Sequence, residues 1–294
     1  MFNNKDFAWF ITGFTEAEGC FNINIYKSKT GKLTAKLRFS LAIMENDSEL
    51  LNKIKNYLCC GNISKPRTNG MIHLTVSKLS DINSIIIPHF KNYPLRGNKY
   101  QDFESWCLAA KIITEGRHLT SEGIIELQDL FKNMNRSRVN DLDYLPLHCN
   151  KNNIEYLPIN GNYISGFIGG DGAIGIYPNS LTFNSKTFCS IYLSITQHKK
   201  DIFLMNEIKD FFNLENKLKV YSNNTVQLLI ENKEFFRLTL IPFFNKYPLH
   251  GVKLNNLNKI INILSTIDKN NINRNNPYTT EIKKEIINIW LAET

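Results

Sequence analysis

The chain has 294 residues, 43% of them hydrophobic and 21% charged, a balance usual for a soluble globular protein and long enough for one large domain or two ordinary ones. The net charge of +8 and the pI of about 9.0 favour a polyanionic partner, most simply a nucleic acid. The apolar run from Phe7 is too short to cross a bilayer and is interrupted by Glu16 and Glu18, so neither a leader segment nor a membrane partner is expected.

The first predicted element is a short helix ending at Gly19, a residue type that permits the left-handed conformation at a helix end. A strand follows, with Phe21, Ile23 and Ile25 alternating against Asn22, Asn24 and Tyr26. SKTGK supplies a turn, and a longer strand sets Ala35, Leu37, Phe39 and Leu41 against Lys36, Arg38, Ser40 and Ala42. Asp47 is placed to N-cap the next helix, DSELLNKIKNYL. Two shorter strands around 61–77, a helix at 80–92 and helices near 101–115 and 121–133 complete a unit. A second unit repeats the order, with Ile174, Ile176, Cys189, Ile191, Leu193 and Ile195 inward and Ser190, Tyr192, Ser194 and Thr196 outward.

The repetition is written in the residues. IIPHFKNYPLRGNK (86–99) recurs as LIPFFNKYPLHGVK (240–253), with eight identities 154 residues apart. ITGFTEAEG (11–19) answers ISGFIGGDG (164–172), and FSLAIMENDSELL (39–51) answers LSITQHKKDIFLM (193–205). The chain therefore reads as two copies of one unit, 1–135 and 159–294, joined by a polar connector at 136–158. Two copies of mixed elements suggest a pseudo-dimer in one chain rather than a solenoid.

Glu16 and Glu18 close the first helix, where the macrodipole is negative and each carboxylate loses roughly 0.3–1 kcal/mol. Gly13 and Ala17 share one helix face, as do Gly166 and Gly170, and small residues there let two backbones approach. If these faces meet, Glu18 and Asp171 come together, and a divalent cation held by carboxylate and carbonyl oxygens relieves their repulsion. Glu16 has Gly169 as its counterpart and is expected to be solvated or capping. The six cysteines include no C-x-x-C pair, so they are expected to be buried thiols of a reducing compartment rather than zinc ligands.

The paired ITGFTEAEG and ISGFIGGDG segments resemble the two motifs of single-chain LAGLIDADG homing endonucleases, over nearly the whole chain. That resemblance implies an α+β fold: two pseudo-symmetric αββαββα halves whose antiparallel sheets form a saddle on the DNA major groove, with the motif helices packed between halves. It implies Mg²⁺ (Mn²⁺ or Ca²⁺ substituting for binding) on Glu18 and Asp171, with the carbonyls of Ala17 and Gly170 as further ligands. Lys99 and Lys253 match the family's basic position beside the attacking water, and Gln197 its polar position; the twin of Gln197 is Ile43. Asn22, Asn24, Tyr26, Lys36, Arg38, Ser40, Tyr177, Ser190, Tyr192, Ser194 and Thr196 become the base-facing set, with Lys27, Lys29, Lys32 and Lys186 on phosphates. The halves differ at nearly all these positions, which implies a monomer acting on a long, non-palindromic double-stranded target and a double-strand break with short 3′ overhangs.

The Asn-, Ile- and Lys-rich composition corresponds to AT-rich codons, as in an organellar genome, so an intron-encoded mitochondrial protein is expected. Three other functions compete with this one: an intron maturase that binds intron RNA with the same fold, a DNA-binding regulator without catalysis, and a glycosidase. The retained acid pair favours the nuclease over the first two. The third leaves the basic balance unexplained and has no recognisable aromatic cleft.

Overall fold

Helix α1 (Asn4–Glu18) runs directly into strand β1 (Gly19–Lys27), which turns at Ser28–Lys32 and returns as β2 (Leu33–Met44). This computed structural model describes residues 4–135, 158–184, 188–215, 218–273 and 275–292. All but the last residue of the expected connector at 136–158, and Lys186, lie outside the described residues. Helix α2 (Ser48–Leu58), short β3 (Asn62–Ile63) and β4 (Met71–Val76) follow, then helix α3 over residues 79–92, α4 (Lys99–Thr114) and α5 (Ser121–Lys132). The second half repeats this as α6 (Gly161–Asp171), β5 (Gly172–Ile176), β6 (Ile191–His198), α7 (Ile202–Phe211), β7 (Lys219–Val220), β8 (Thr225–Ile230), α8 over 233–246, α9 (Val252–Lys269) and α10 (Thr280–Leu291).

The described strands form two antiparallel sheets of four, ordered β1-β2-β4-β3 and β5-β6-β8-β7. Period-two alternation decides their faces. Phe21, Ile23, Leu37, Phe39 and Leu41 point under the first sheet, where Phe90, Phe103 and Trp106 complete an aromatic core. Ile191, Leu193, Ile195, Val226 and Leu228 do the same in a second, separate core. The α+β architecture expected from the sequence is the one observed.

Four local expectations are corrected. Gly19 and Gly172 are not left-handed helix caps: each opens a strand, and Gly172 is extended at φ −74°, ψ 145°. A side chain there would strike the preceding turn, since a Cβ would lie 2.5 Å from the Thr15 carbonyl oxygen at Gly19 and 2.6 Å from that of Ile168 at Gly172. Residues 79–92 and 233–246 are helices interrupted by π-turns, Ile82–Ile86 and Phe236–Leu240, ahead of Pro88 and Pro242. A proline ring clashes with the carbonyl four residues back in a regular helix, and the wider turn relieves that clash. Cys59 is exposed at the left-handed end of α2, so the cysteines are not uniformly buried; Cys149 lies outside the described residues.

The fourth correction concerns the seam between halves. Helices α1 and α6 cross with their backbones touching: a Cβ on Gly13 would fall 1.9 Å from the Tyr163 carbonyl oxygen, and one on Gly166 2.0 Å from that of Phe10. Asp47 stands before α2 as expected but makes no side-chain bond to it. Its carboxylate reaches across the seam and accepts from the Val252 N–H, 3.0 Å away at the start of α9. Among the described residues no helix is long and apolar enough to cross a membrane.

Candidate active site

Helices α1 and α6 end side by side because small residues line their shared face. A Cβ on Gly170 would meet the Ala17 Cβ at 2.2 Å and the Glu18 Cγ at 3.2 Å, so the Glu18 side chain lies against the last turn of α6, next to Asp171. Both carboxylates are half-buried. Burial raises the Glu18 pKa, the Asp171 charge raises it further, and Lys253 and Lys99 pull it back. Burial likewise raises Asp171, against a hydrogen bond from the Gln197 amide, which donates through Nε2 to Oδ2.

Both lysines come to the same helix ends. Lys99 Nζ donates to the Gly19 carbonyl at 2.6 Å and to that of Ala17 at 3.4 Å. Lys253 Nζ donates to the Gly170 carbonyl at 2.5 Å, and burial lowers its pKa despite the nearby acids. Thus Glu18, Asp171, Lys99, Lys253 and Gln197, spread over 236 residues of sequence, share one site.

The residues suit a hard divalent cation. Two partly buried carboxylates pushed toward protonation are the kind of pair a cation stabilises. No cluster of three or more His, Cys, Asp or Glu occurs among the described residues, so side chains alone do not complete a ligand set. Carbonyls and water would supply the rest, as a hard divalent cation prefers. The Ala17 and Gly170 carbonyls are open to that role only in part, because each already accepts from a lysine.

Glu16 is neither solvated nor a helix cap. It is 7% exposed and accepts from Arg96 N (2.9 Å), Gly97 N (3.1 Å) and the Tyr163 hydroxyl (2.7 Å) of α6. Arg96 in turn forms a bidentate pair with Glu207 of α7, at 2.9 and 2.8 Å. The carboxylate that helix electrostatics disfavour is thus satisfied by donors from both halves.

The outer sheet faces carry the expected polar residues. In the first, Asn22 pairs with Arg38, Asn24 with Lys36 and Ser40 with Thr75, while Lys27, Lys29 and Lys32 are exposed at the hairpin. In the second, Tyr192, Ser194 and Thr196 lie along β6; Ser190 precedes the strand, and Tyr177 follows β5 with its ring 4.6 Å from that of Tyr192. Burial and Glu231 hold the Tyr177 hydroxyl up at about 12. The sequence reading omitted His73, Thr75 and Gln227, although MIHLTV and TVQLLI alternate as plainly as the longer strands. Gln227 accepts from the Tyr221 hydroxyl at 2.7 Å and donates to Ser194 Oγ at 2.8 Å, which fixes the amide's orientation on the sheet face.

The LAGLIDADG endonuclease family pattern matches residues 11–110 and again 164–264. The chain belongs to that family. It is 31% identical over 256 residues to the probable intron-encoded endonuclease 3 of Neurospora crassa, covering 84% of this chain and 48% of that protein. It is 29% identical over 263 residues to the probable intron-encoded endonuclease 2 of the same organism, covering 84% of this chain and 57% of that one. The chain therefore spans about half the length of the curated relatives it matches. The structure of the I-LtrWI LAGLIDADG homing endonuclease bound to target DNA superimposes with a TM-score of 0.81 at 27% identity, over 98% of this chain and 97% of that one.

Proposed function

We propose that this LAGLIDADG chain is a homing endonuclease that makes a site-specific double-strand break in a long, non-palindromic DNA target by metal-dependent hydrolysis, leaving short 3′ overhangs. The observation that carries it is the pairing of Glu18 with Asp171 at adjoining helix ends, between Lys99 and Lys253. When bound, a divalent cation, Mg²⁺ first among candidates, supplies charge stabilisation at the scissile phosphate. Glu18 and Asp171 would hold it, with Gln197 orienting Asp171. Lys99 and Lys253, already at the helix ends, add positive charge beside the attacking water. The two polar sheet faces read the bases, and the hairpin lysines neutralise phosphates, which makes affinity fall with salt.

The intron-encoded relatives and the Asn- and Lys-rich composition support an intron-encoded, mitochondrial protein, and the division 1–135, 136–158 and 159–294 accounts for both motif copies in one monomer. A maturase that only binds RNA has no use for the acid pair, and intron RNA is not retained as a partner. Glu18→Gln should abolish double-strand cleavage of supercoiled plasmid bearing the target while DNA binding in Ca²⁺ stays within about twofold, because specificity resides on the sheets. A variant that cuts as fast as the parent would refute the assignment.

A further inference from the structure

We infer that Asp47 and Asp201 are positioning residues for cleavage, each setting from the opposite half the helix that carries a catalytic lysine: Asp47 the start of α9 with Lys253, Asp201 the start of α4 with Lys99. This rests on the endonuclease reading above.

The two contacts are copies of one another. Asp47 Oδ1 accepts from Val252 N at 3.0 Å, and Asp201 Oδ1 accepts from Asn98 N at 2.6 Å. The acceptors lie 154 residues apart, as do the two lysines. Each aspartate precedes a helix of its own half, α2 or α7, yet makes no side-chain cap there. An N-cap position that leaves its own helix uncapped in order to cap another has been given a different task.

The glycines of the repeated YPLxGxK segment provide an independent sign. A Cβ on Gly251 would fall 1.9 Å from Asp47 Oδ1, and one on Gly97 2.7 Å from Asp201 Oδ1. Gly251 is the opening through which the other half's carboxylate reaches the backbone, and Gly97 admits both Asp201 and Glu16, whose Oε1 a Cβ there would also meet at 2.7 Å. Gly251 also sits at φ +69°, a conformation few other residues adopt readily.

The arrangement answers an electrostatic difficulty. A lysine in the first turn of a helix faces the positive end of the macrodipole. A carboxylate on the first free N–H offsets that charge and fixes the helix start, so the lysine stem leaves the backbone toward the carbonyls at the ends of α1 and α6. Since each aspartate belongs to the half opposite its lysine, neither lysine is set until the two halves have seated.

The test is strand-resolved, single-turnover cleavage by Asp47→Ala, Asp201→Ala and the two Asn variants, which keep an acceptor oxygen. Each Ala variant should slow one strand by about tenfold or more and the other by no more than about twofold, the two variants acting on opposite strands. The Asn variants should restore most of the loss, and Kd for the target in Ca²⁺ should hold within about twofold. Equal slowing of both strands, or no rescue by Asn, would overturn the inference. A second readout needs no activity: in dimethyl-lysine NMR spectra assigned by Lys→Arg variants, Asp47→Ala should move the Lys253 resonance and leave that of Lys99, and Asp201→Ala the reverse. A parent that fails to cut its target would count against the endonuclease reading, whereas unmoved lysine resonances would count against the inference itself.

Discussion

Gln197 donates to Asp171, whereas the residue in its place in the other half, Ile43, is a buried hydrocarbon near the end of β2 with no hydrogen bond to offer. The two acids therefore begin catalysis from different surroundings. Gln197→Ala should slow cleavage of one strand more than the other, measured with separately labelled strands. Equal loss on both would show that the amide does not act through Asp171.

Glu18 and Asp171 are held together against burial and mutual repulsion, so neutralising one should favour the fold. In a chelating buffer Glu18→Gln should be more stable than the parent by about 1 kcal/mol, seen as a higher Tm, while being inactive. Mg²⁺ should raise the Tm of the parent and leave a Glu18→Gln, Asp171→Asn double variant unchanged. A parent whose Tm ignores divalent cations would contradict the ligand assignment.

Glu16 accepts from three donors drawn from both halves. Glu16→Ala leaves the Tyr163 hydroxyl and the Arg96 and Gly97 N–H groups without that acceptor, at a cost of about 3 kcal/mol in urea unfolding. A change below about 0.5 kcal/mol would mean that water replaces the carboxylate freely.

His89 is buried beside Thr12, and desolvation lowers its pKa from the usual 6.5 to about 4. The unfolded chain therefore binds a proton over pH 4–6.5 that the folded chain refuses, so this group's contribution to stability is intact above 6.5 and lost as pH falls toward 4. His89→Phe removes that loss, and Thr12 keeps the Tyr93 carbonyl as a partner at 3.0 Å. Measured against the parent, the variant should gain about 3 kcal/mol between pH 7 and pH 4. A pH-independent difference would exclude a depressed His89.

The repeat made much of this legible in the sequence. Eight identities between residues 86–99 and 240–253 announced two halves, and period-two runs such as FNINIY gave strand faces that the register bears out. The acid pair was legible because small residues four apart on two helices allow the close approach that brings the helix ends together. What stayed hidden depends on long-range partners. Nothing near Glu16 in sequence announces Arg96 or Tyr163, and Asp47 reads as an ordinary cap until α9 is seen from across the seam. The π-turns stayed hidden because the helix expected over 80–92 runs straight through Pro88, and the sequence does not say how the backbone makes room for the proline ring.

The Glu16 cluster also limits how such proteins can be recombined. The counterparts of Tyr163, Glu16, Arg96 and Glu207 are Phe10, Gly169, His250 and Lys53. A chimera of two first halves would set Glu16 against Phe10 and Arg96 against Lys53, depriving two acids of the Tyr163 hydroxyl and opposing like charges. One made of two second halves would leave each Tyr163 phenol facing a glycine. The halves carry complementary positions across the seam, and grafting either onto a relative calls for moving these positions as a set.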